Sequence, residues 1–288
     1  MTTNNLKLNG DSDLFSRMYM LSQDIMFKDI LNTANNMDVD FTDALSIGQL
    51  KSKQWIIQAL IDINNQLHVD DGTDDLPVEY GRGAGLLLGN IFIVGGWYGL
   101  LASMLSHRAV RKSYQGDDNI KTGYGLTIAD RGGVARQWPR RLKIYNIRSF
   151  DINPECEKIA DSVNGNWVKM NWQFKAITED MHNINYEGHT WSAWSSSNNR
   201  MSHPVTEEPD TIINTSCEHI ENFSEWYAKM PKGKLLVLQN NNYSELEEHV
   251  NCVNSVEEFA EQTPMKDVFF AGELDVGKYK RYMRIGIR

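Results

Sequence analysis

Five short groups along this chain combine residue types able to do chemistry. The first lies within residues 90–103, N-I-F-I-V-G-G-W-Y-G-L-L-A-S. There an apolar, partly β-branched run enters Gly95-Gly96, passes Trp97-Tyr98-Gly99, and continues into Leu100, Leu101, Met104 and Leu105 at helical spacing. A continuous apolar run bounded by glycine predicts a buried parallel strand. The glycines allow a tight turn and a close approach of a ligand to the backbone, and the following helix directs its free N–H groups at that ligand. Open α/β sheets build nucleotide sites from such units. The same stretch would also serve as a plain strand-to-helix turn. The other groups are Asp151 in S-F-D-I-N-P, Asp180 and Met181 in T-E-D-M, Asn214 to His219 in N-T-S-C-E-H, and Gln239 to Tyr243 in Q-N-N-N-Y.

The elements that must position these groups follow from periodicity. Residues 12–34 and 43–67 have apolar residues at helical spacing, for instance Leu45, Leu50, Ile56, Ile57, Leu60 and Ile63, and predict an N-terminal helical layer. Strands are predicted at 143–150, 172–178, 210–214 and 234–238, each ending at one of the chemical groups. Between the first two of these, Asn153 as N-cap and Pro154 at the first helical position mark a helix that Gly165 closes. Residues 191–199 (W-S-A-W-S-S-S-N-N) predict a polar loop, 222–230 and 256–262 short helices, and 268–274 with 279–287 a terminal hairpin. Strands alternating with helices argue for an α/β fold: a Rossmann-like, mostly parallel seven-stranded sheet with an antiparallel C-terminal hairpin, plus the N-terminal helical layer. The expected organisation is a helical region over residues 1–75 packed on a core domain of residues 76–288. In such sheets ligands bind at the carboxyl ends of the strands, where all five groups fall.

Composition narrows the partners. The net charge of −9 argues against a general polyanion binder. Nine basic residues against three acids between His107 and Lys143 leave +6 there and −15 for the rest. This basic insertion near 108–143 either docks an anionic macromolecule or is a solvated loop. The run of Gly81, Gly83 and Gly85 lacks a preceding strand and is not a dinucleotide fingerprint. No apolar run reaches the ~20 residues that span a bilayer, and the polar N-terminus does not match a secretory signal. Three widely separated cysteines, Cys156, Cys217 and Cys252, suit a reducing compartment. A cytoplasmic protein without a membrane partner is therefore expected.

The order V-G-G-W-Y-G, S-F-D-I-N-P, T-E-D-M, D-T-I-I-N-T-S-C-E-H-I and P-K-G-K-L-L-V-L-Q resembles the class I S-adenosylmethionine-dependent methyltransferases, over roughly residues 90 to 288. The chain looks most like uncharacterised phage and bacterial members. The resemblance implies S-adenosylmethionine as cofactor. It implies Gly95, Gly96 and Gly99 where the backbone meets the methionine part, Asp151 as acceptor for both ribose hydroxyls, and Asp180 and Met181 against the adenine. Ile152, Trp97 and Asn214 complete the cofactor-binding set. Two positions depart from the family pattern: Ile93 stands where an acidic residue is usual, and Trp97 where the central glycine is usual. Glu79 or Glu218 would have to replace the missing acid.

Methyl transfer is an in-line displacement, so the protein chiefly supplies position and a route for the acceptor's proton. His219 and Glu218 are the candidates to orient or deprotonate the acceptor, although a histidine there could equally pack or cap a helix start. Cys217 suits a buried hydrophobe better than a nucleophile, and no metal is called for. The expected activity is methyl transfer to a small-molecule acceptor. Two other readings stay open: an RNA or protein acceptor docked by the basic insertion, and a catalytically silent cofactor-binding protein.

Overall fold

The computed structural model describes residues 25–69, 86–112, 120–122, 142–195 and 199–288. The start of the predicted first helix, Glu79, the glycine run with Arg82, and most of the basic insertion lie outside these residues.

The chain enters through helices α1 (Ile25–Met37) and α2 (Ile47–Val69) and then forms strand β1 (Leu87–Val94). On β1, Ile91 and Ile93 belong to one apolar layer and Phe92 and Val94 to the other, all fully buried. Alternate residues of a strand point to opposite faces, so an unbroken apolar run is what a strand covered on both faces needs. Helix α3 (Leu100–Arg108) leads into two short strands, β2 (Ala109–Lys112) and β3 (Ile120–Thr122). Next come β4 (Leu142–Asp151), helices α4 (Pro154–Val163) and α5 (Gly165–Lys169), and β5 (Phe174–Thr178).

Asn153 caps α4 through its side chain, which accepts from the Glu155 N–H, as its sequence position predicts. Gly165 does not close that helix. Asn164 is the C-cap, and Gly165 opens α5. The Asn164 amide instead donates to the carbonyl oxygens of Ala160 and Gly99, pinning the end of α4 to the start of α3.

The segment from 179 to 210 holds two small antiparallel pairs, β6 (His189–Trp191) with β9 (Val205–Glu207), and β7 (Trp194–Ser195) with β8 (Arg200–Met201). The predicted polar loop over 191–199 is therefore corrected. Trp191 is buried, packs edge-on against Trp172 and donates its indole N–H to Glu207. Glu207 in turn pairs through both oxygens with Arg148, a buried guanidinium projecting from β4. A charged fork thus ties the excursion to the sheet.

The main chain resumes with β10 (Thr211–Asn214), a 3-10 turn (Cys217–His219), α6 (Phe223–Ala228), β11 (Leu235–Asn241), α7 (Val256–Gln262), β12 (Asp267–Asp275) and β13 (Lys280–Ile287). Across the sheet the principal order is β5-β4-β1-β10-β11-β13-β12. The ladders from β5 to β11 are parallel, whereas β13 runs antiparallel to both β11 and β12. The expected seven-stranded, mostly parallel sheet with an antiparallel C-terminal hairpin is present. The β2–β3 ribbon extends it beside the first residues of β4. One face is covered by α2, α3 and Trp167, the other by α6, α7 and Tyr186. Helix α1 packs through Ile30 against Ile159 and Val163 of α4.

Candidate functional site

At the carboxyl ends of the parallel strands lies a cleft of about 710 Å³. It is bounded by the Gly95–Tyr98 turn, Asp151 and Ile152, the Glu179–Met181 turn and the Asn214–His219 segment. Ten of the eleven site residues expected from the sequence line it: Gly95, Gly96, Trp97, Asp151, Ile152, Asp180, Met181, Asn214, Glu218 and His219. The exception is Gly99. Its φ of +70° suits glycine, and a Cβ there would come within 2.9 Å of the Ala160 Cβ and 2.7 Å of the Asn164 Nδ2. Gly99 thus serves close packing of α3 on α4 and does not face the cleft.

Registers explain why the groups converge. Val94 pairs with Asn214 on one side and Phe150 on the other, and Asp151 pairs with Thr178. β1, β4, β5 and β10 therefore end at one level, and β11 runs three residues beyond it. Gly95 has φ +66° and Gly96 approaches β4 so closely that a Cβ would lie 1.8 Å from the Ser149 Oγ. The Gly96 N–H donates to the Phe150 carbonyl. Trp97 adopts φ +48°, a left-handed conformation that costs a non-glycine residue about 1–2 kcal/mol. Its N–H donates to Asp151 Oδ2 at 2.9 Å, and its ring stacks on Tyr98 at 4.9 Å. Trp97 thus takes a backbone conformation that glycine adopts freely.

Asp151 also accepts at Oδ1 from the Asn153 N–H, 3.0 Å away. Two backbone donors fix its carboxylate at the rim, and each oxygen keeps a further lone pair for a ligand. Ile152 beside it is 71% exposed. Across the strand end, Asp180 Oδ1 accepts from the His182 N–H at 2.8 Å, an Asx turn that orients the carboxylate. Asn214 caps its own turn through Oδ1 to the Ser216 N–H. Burial, helped by Asp151, pushes the Cys156 thiol up to about 12. Burial raises Cys217 well above its ordinary value. Both shifts disfavour the thiolate, the form that acts as a nucleophile.

The other half of the cleft contains, besides Tyr243 and Glu218, residues the sequence did not single out. Helix α2 and the residues before it contribute Asp43, Ser46, Gly48, Gln49 and Lys53, so the N-terminal layer covers the site. The hairpin turn contributes Val276, Lys278 and Tyr279, and the loop after β11 contributes Tyr243, Leu246, Glu248 and His249. Glu218 is buried, accepts from Asn241 Nδ2 at 2.6 Å, and has Arg281 at 3.8 Å from Oε1. The strand predicted to end at residue 238 runs three residues further: Gln239, Asn240 and Asn241 are buried in β11. Gln239 turns to Ser52 and Asn240 to the Asn251 carbonyl, and only Asn241 of the three lines the cleft. Pairing of Asn241 with Arg281 across the antiparallel ladder extends the strand through these polar residues.

Lys53 is buried, donates to Gln49 Oε1 at 2.6 Å, and has its pKa lowered to about 7 by burial and then by Arg281, with Asp43 opposing. The unfolded chain binds this proton up to its ordinary value, so between pH 7 and 10 the unfolded state holds more protons and stability rises with pH. Accordingly, Lys53→Met should be more stable than the parent at pH 6, and the difference should shrink as pH rises from 7 towards 10. Denaturant unfolding of both proteins across that range checks this. A difference independent of pH would mean that Lys53 stays solvated and charged.

No family model matches this sequence, and no curated protein matches it. Among solved structures, magnesium protoporphyrin IX methyltransferase from Synechocystis PCC 6803, with bound SAM, aligns at TM-score 0.43 and 14% identity, covering 99% of each chain. N-methyltransferase NodS from Bradyrhizobium japonicum WM9 aligns at TM-score 0.41 and 9% identity, covering 79% of this chain and 97% of that one. The fold assignment rests on the strand order itself: this chain has the seven-stranded Rossmann-like sheet, reversed only at its seventh strand, that the sequence predicted.

Proposed function

We propose that the cleft binds S-adenosylmethionine and that the protein is a methyltransferase acting on a small-molecule acceptor. The observation that carries this reading is the Asp151 carboxylate, held by the Trp97 and Asn153 N–H groups between the glycine turn and the Glu179–Asp180 turn. A pre-oriented two-oxygen acceptor at a strand end fits a ribose diol. Ile152 offers an apolar surface for a base, with Asp180 and Met181 on the neighbouring turn to hold its edge. The open turn at Gly95 and Gly96 leaves room for the amino-acid portion. Where an acid is usual, Ile93 is buried; Glu218 Oε1 is taken by Asn241 and Arg281, and its Oε2 is buried in the cleft wall.

When bound, the cofactor supplies an electrophilic methyl group on sulfur. The chain's own work is to align an acceptor and receive its proton. His219 and Glu218, which line the same cleft, are the residues proposed for that work. The volume of the cleft lies in the range of small-molecule pockets, and the walls from α2, the β11 loop and the hairpin turn favour an enclosed acceptor over an extended polymer.

Calorimetric titration with S-adenosylhomocysteine tests the reading directly. Saturable one-site binding is expected, with a rise in melting temperature, since a ligand at 100 times its Kd stabilises the folded state by about 2.7 kcal/mol. If the compound neither binds nor shifts melting at millimolar concentration while NAD does, the assignment is wrong.

A further inference from the structure

Beside the cofactor half of the cleft, Glu218, His219 and His249 bring three potential ligand atoms within 4.8 Å of one another. Their individual surroundings are those of metal ligands. His219 Nδ1 faces the Glu248 carbonyl oxygen at 3.1 Å, and His249 Nδ1 faces the Tyr243 carbonyl oxygen. A carbonyl only accepts, so each Nδ1 donates, and in the neutral ring Nε2 is then the atom that offers a lone pair. Backbone carbonyls commonly fix metal-bound imidazoles in this way. The two rings lie edge to face, 4.5 Å between centroids.

The third member supplies the charge. Glu218 is only 1% exposed. Its Oε1 is oriented by Asn241 and faces Arg281, whereas its Oε2 is buried without a hydrogen-bond partner. A buried carboxylate oxygen left unsatisfied costs free energy, and a cation between it and the two imidazoles would remove that cost.

We infer that Glu218, His219 and His249 form a divalent-cation site of the zinc type, with an open coordination position facing the acceptor end of the cleft. Two imidazoles and one carboxylate suit a borderline first-row ion, and three protein ligands leave room for a fourth. Ligand atoms around a four-coordinate zinc lie roughly 3.3 Å apart, so the site closes by rotation of the exposed His219 and the half-buried His249 onto Glu218. An acceptor hydroxyl or phenol entering the open position would bind as its anion, its proton passing to water, so that with the ion bound His219 and Glu218 would orient the acceptor through the cation instead of taking its proton themselves. That consequence rests on the methyltransferase reading; cation binding itself does not.

The test uses the full chain, stripped with a chelator and titrated with Zn²⁺ by calorimetry and with Co²⁺ by visible absorption. One equivalent should bind at micromolar Kd or tighter, with the absorption of a low-coordinate nitrogen–oxygen site and no thiolate charge-transfer band. His219→Ala and His249→Gln, both outside the core, should each weaken binding at least 30-fold while far-UV circular dichroism stays unchanged. Absence of saturable binding, undiminished binding in both variants, or a thiolate band pointing to Cys252 would each overturn the inference. Cation binding without nucleoside binding would instead overturn only the proposed function, and the reverse result only the cation site.

Discussion

Asp151→Ala is expected to weaken S-adenosylhomocysteine binding by roughly 30- to 900-fold, or about 2–4 kcal/mol, taking each charge-assisted hydrogen bond as ~1.5–3 kcal/mol and allowing for water in its place. The effect has two sources. The variant loses both acceptor oxygens offered to the ligand. It also frees the Trp97 and Asn153 N–H groups that the carboxylate now holds, so a turn with a left-handed tryptophan loses its buttress. Asp151→Asn separates the two. It keeps one carbonyl oxygen for the backbone while removing the charge and one acceptor, and should fall between parent and alanine variant. The fold should survive in both, because Asp151 ends its strand. Calorimetry alongside circular dichroism is decisive: an unchanged Kd in a folded alanine variant would remove Asp151 from the site.

The second large effect concerns stability. Glu207→Ala should destabilise the protein by about 3–5 kcal/mol, the cost of leaving a buried charge without its partner. Arg148 is buried and stacked over the Trp191 ring at 4.8 Å. Its remaining hydrogen bonds run to the Ile147 and Trp172 carbonyls, which orient the guanidinium but do not neutralise it. The same substitution also strands the Trp191 indole N–H. Replacing both charges, as Arg148→Met with Glu207→Leu, should cost much less than Glu207→Ala alone, because no buried charge is then left unpaired. Urea unfolding of the three proteins measures this. A loss below 1 kcal/mol for Glu207→Ala would show that water reaches Arg148.

Several parts of this arrangement were legible in the order of residues. The apolar run of β1 into Gly95-Gly96 encodes a strand buried on both faces and a turn pressed against β4. The N-cap and proline of α4 mark a helix start, and Asp151 follows from its place two residues before that cap. These signals are local: each depends on residues within one turn or one strand, where periodicity and capping act. The polar strand end Gln239–Asn241 was not legible, because amides read as loop until an antiparallel neighbour supplies the ladder. The same holds for the small hairpins around Trp191, whose two- and three-residue strands carry too few residues for a pattern.

The sequence by itself determined which strand ends carry Gly95, Asp151, Asp180, Asn214 and Glu218, because alternation of strand and helix brings every parallel carboxyl end to one edge. Only the tertiary structure decided what stands opposite them. Lys53 from α2, Arg281 from β13 and His249 from the loop after β11 come from three distant parts of the chain. Nothing in the spacing of these residues records their approach. Packing of a helix across the sheet and the reversal of one strand set it, and those are fixed by the burial of whole apolar faces rather than by any motif.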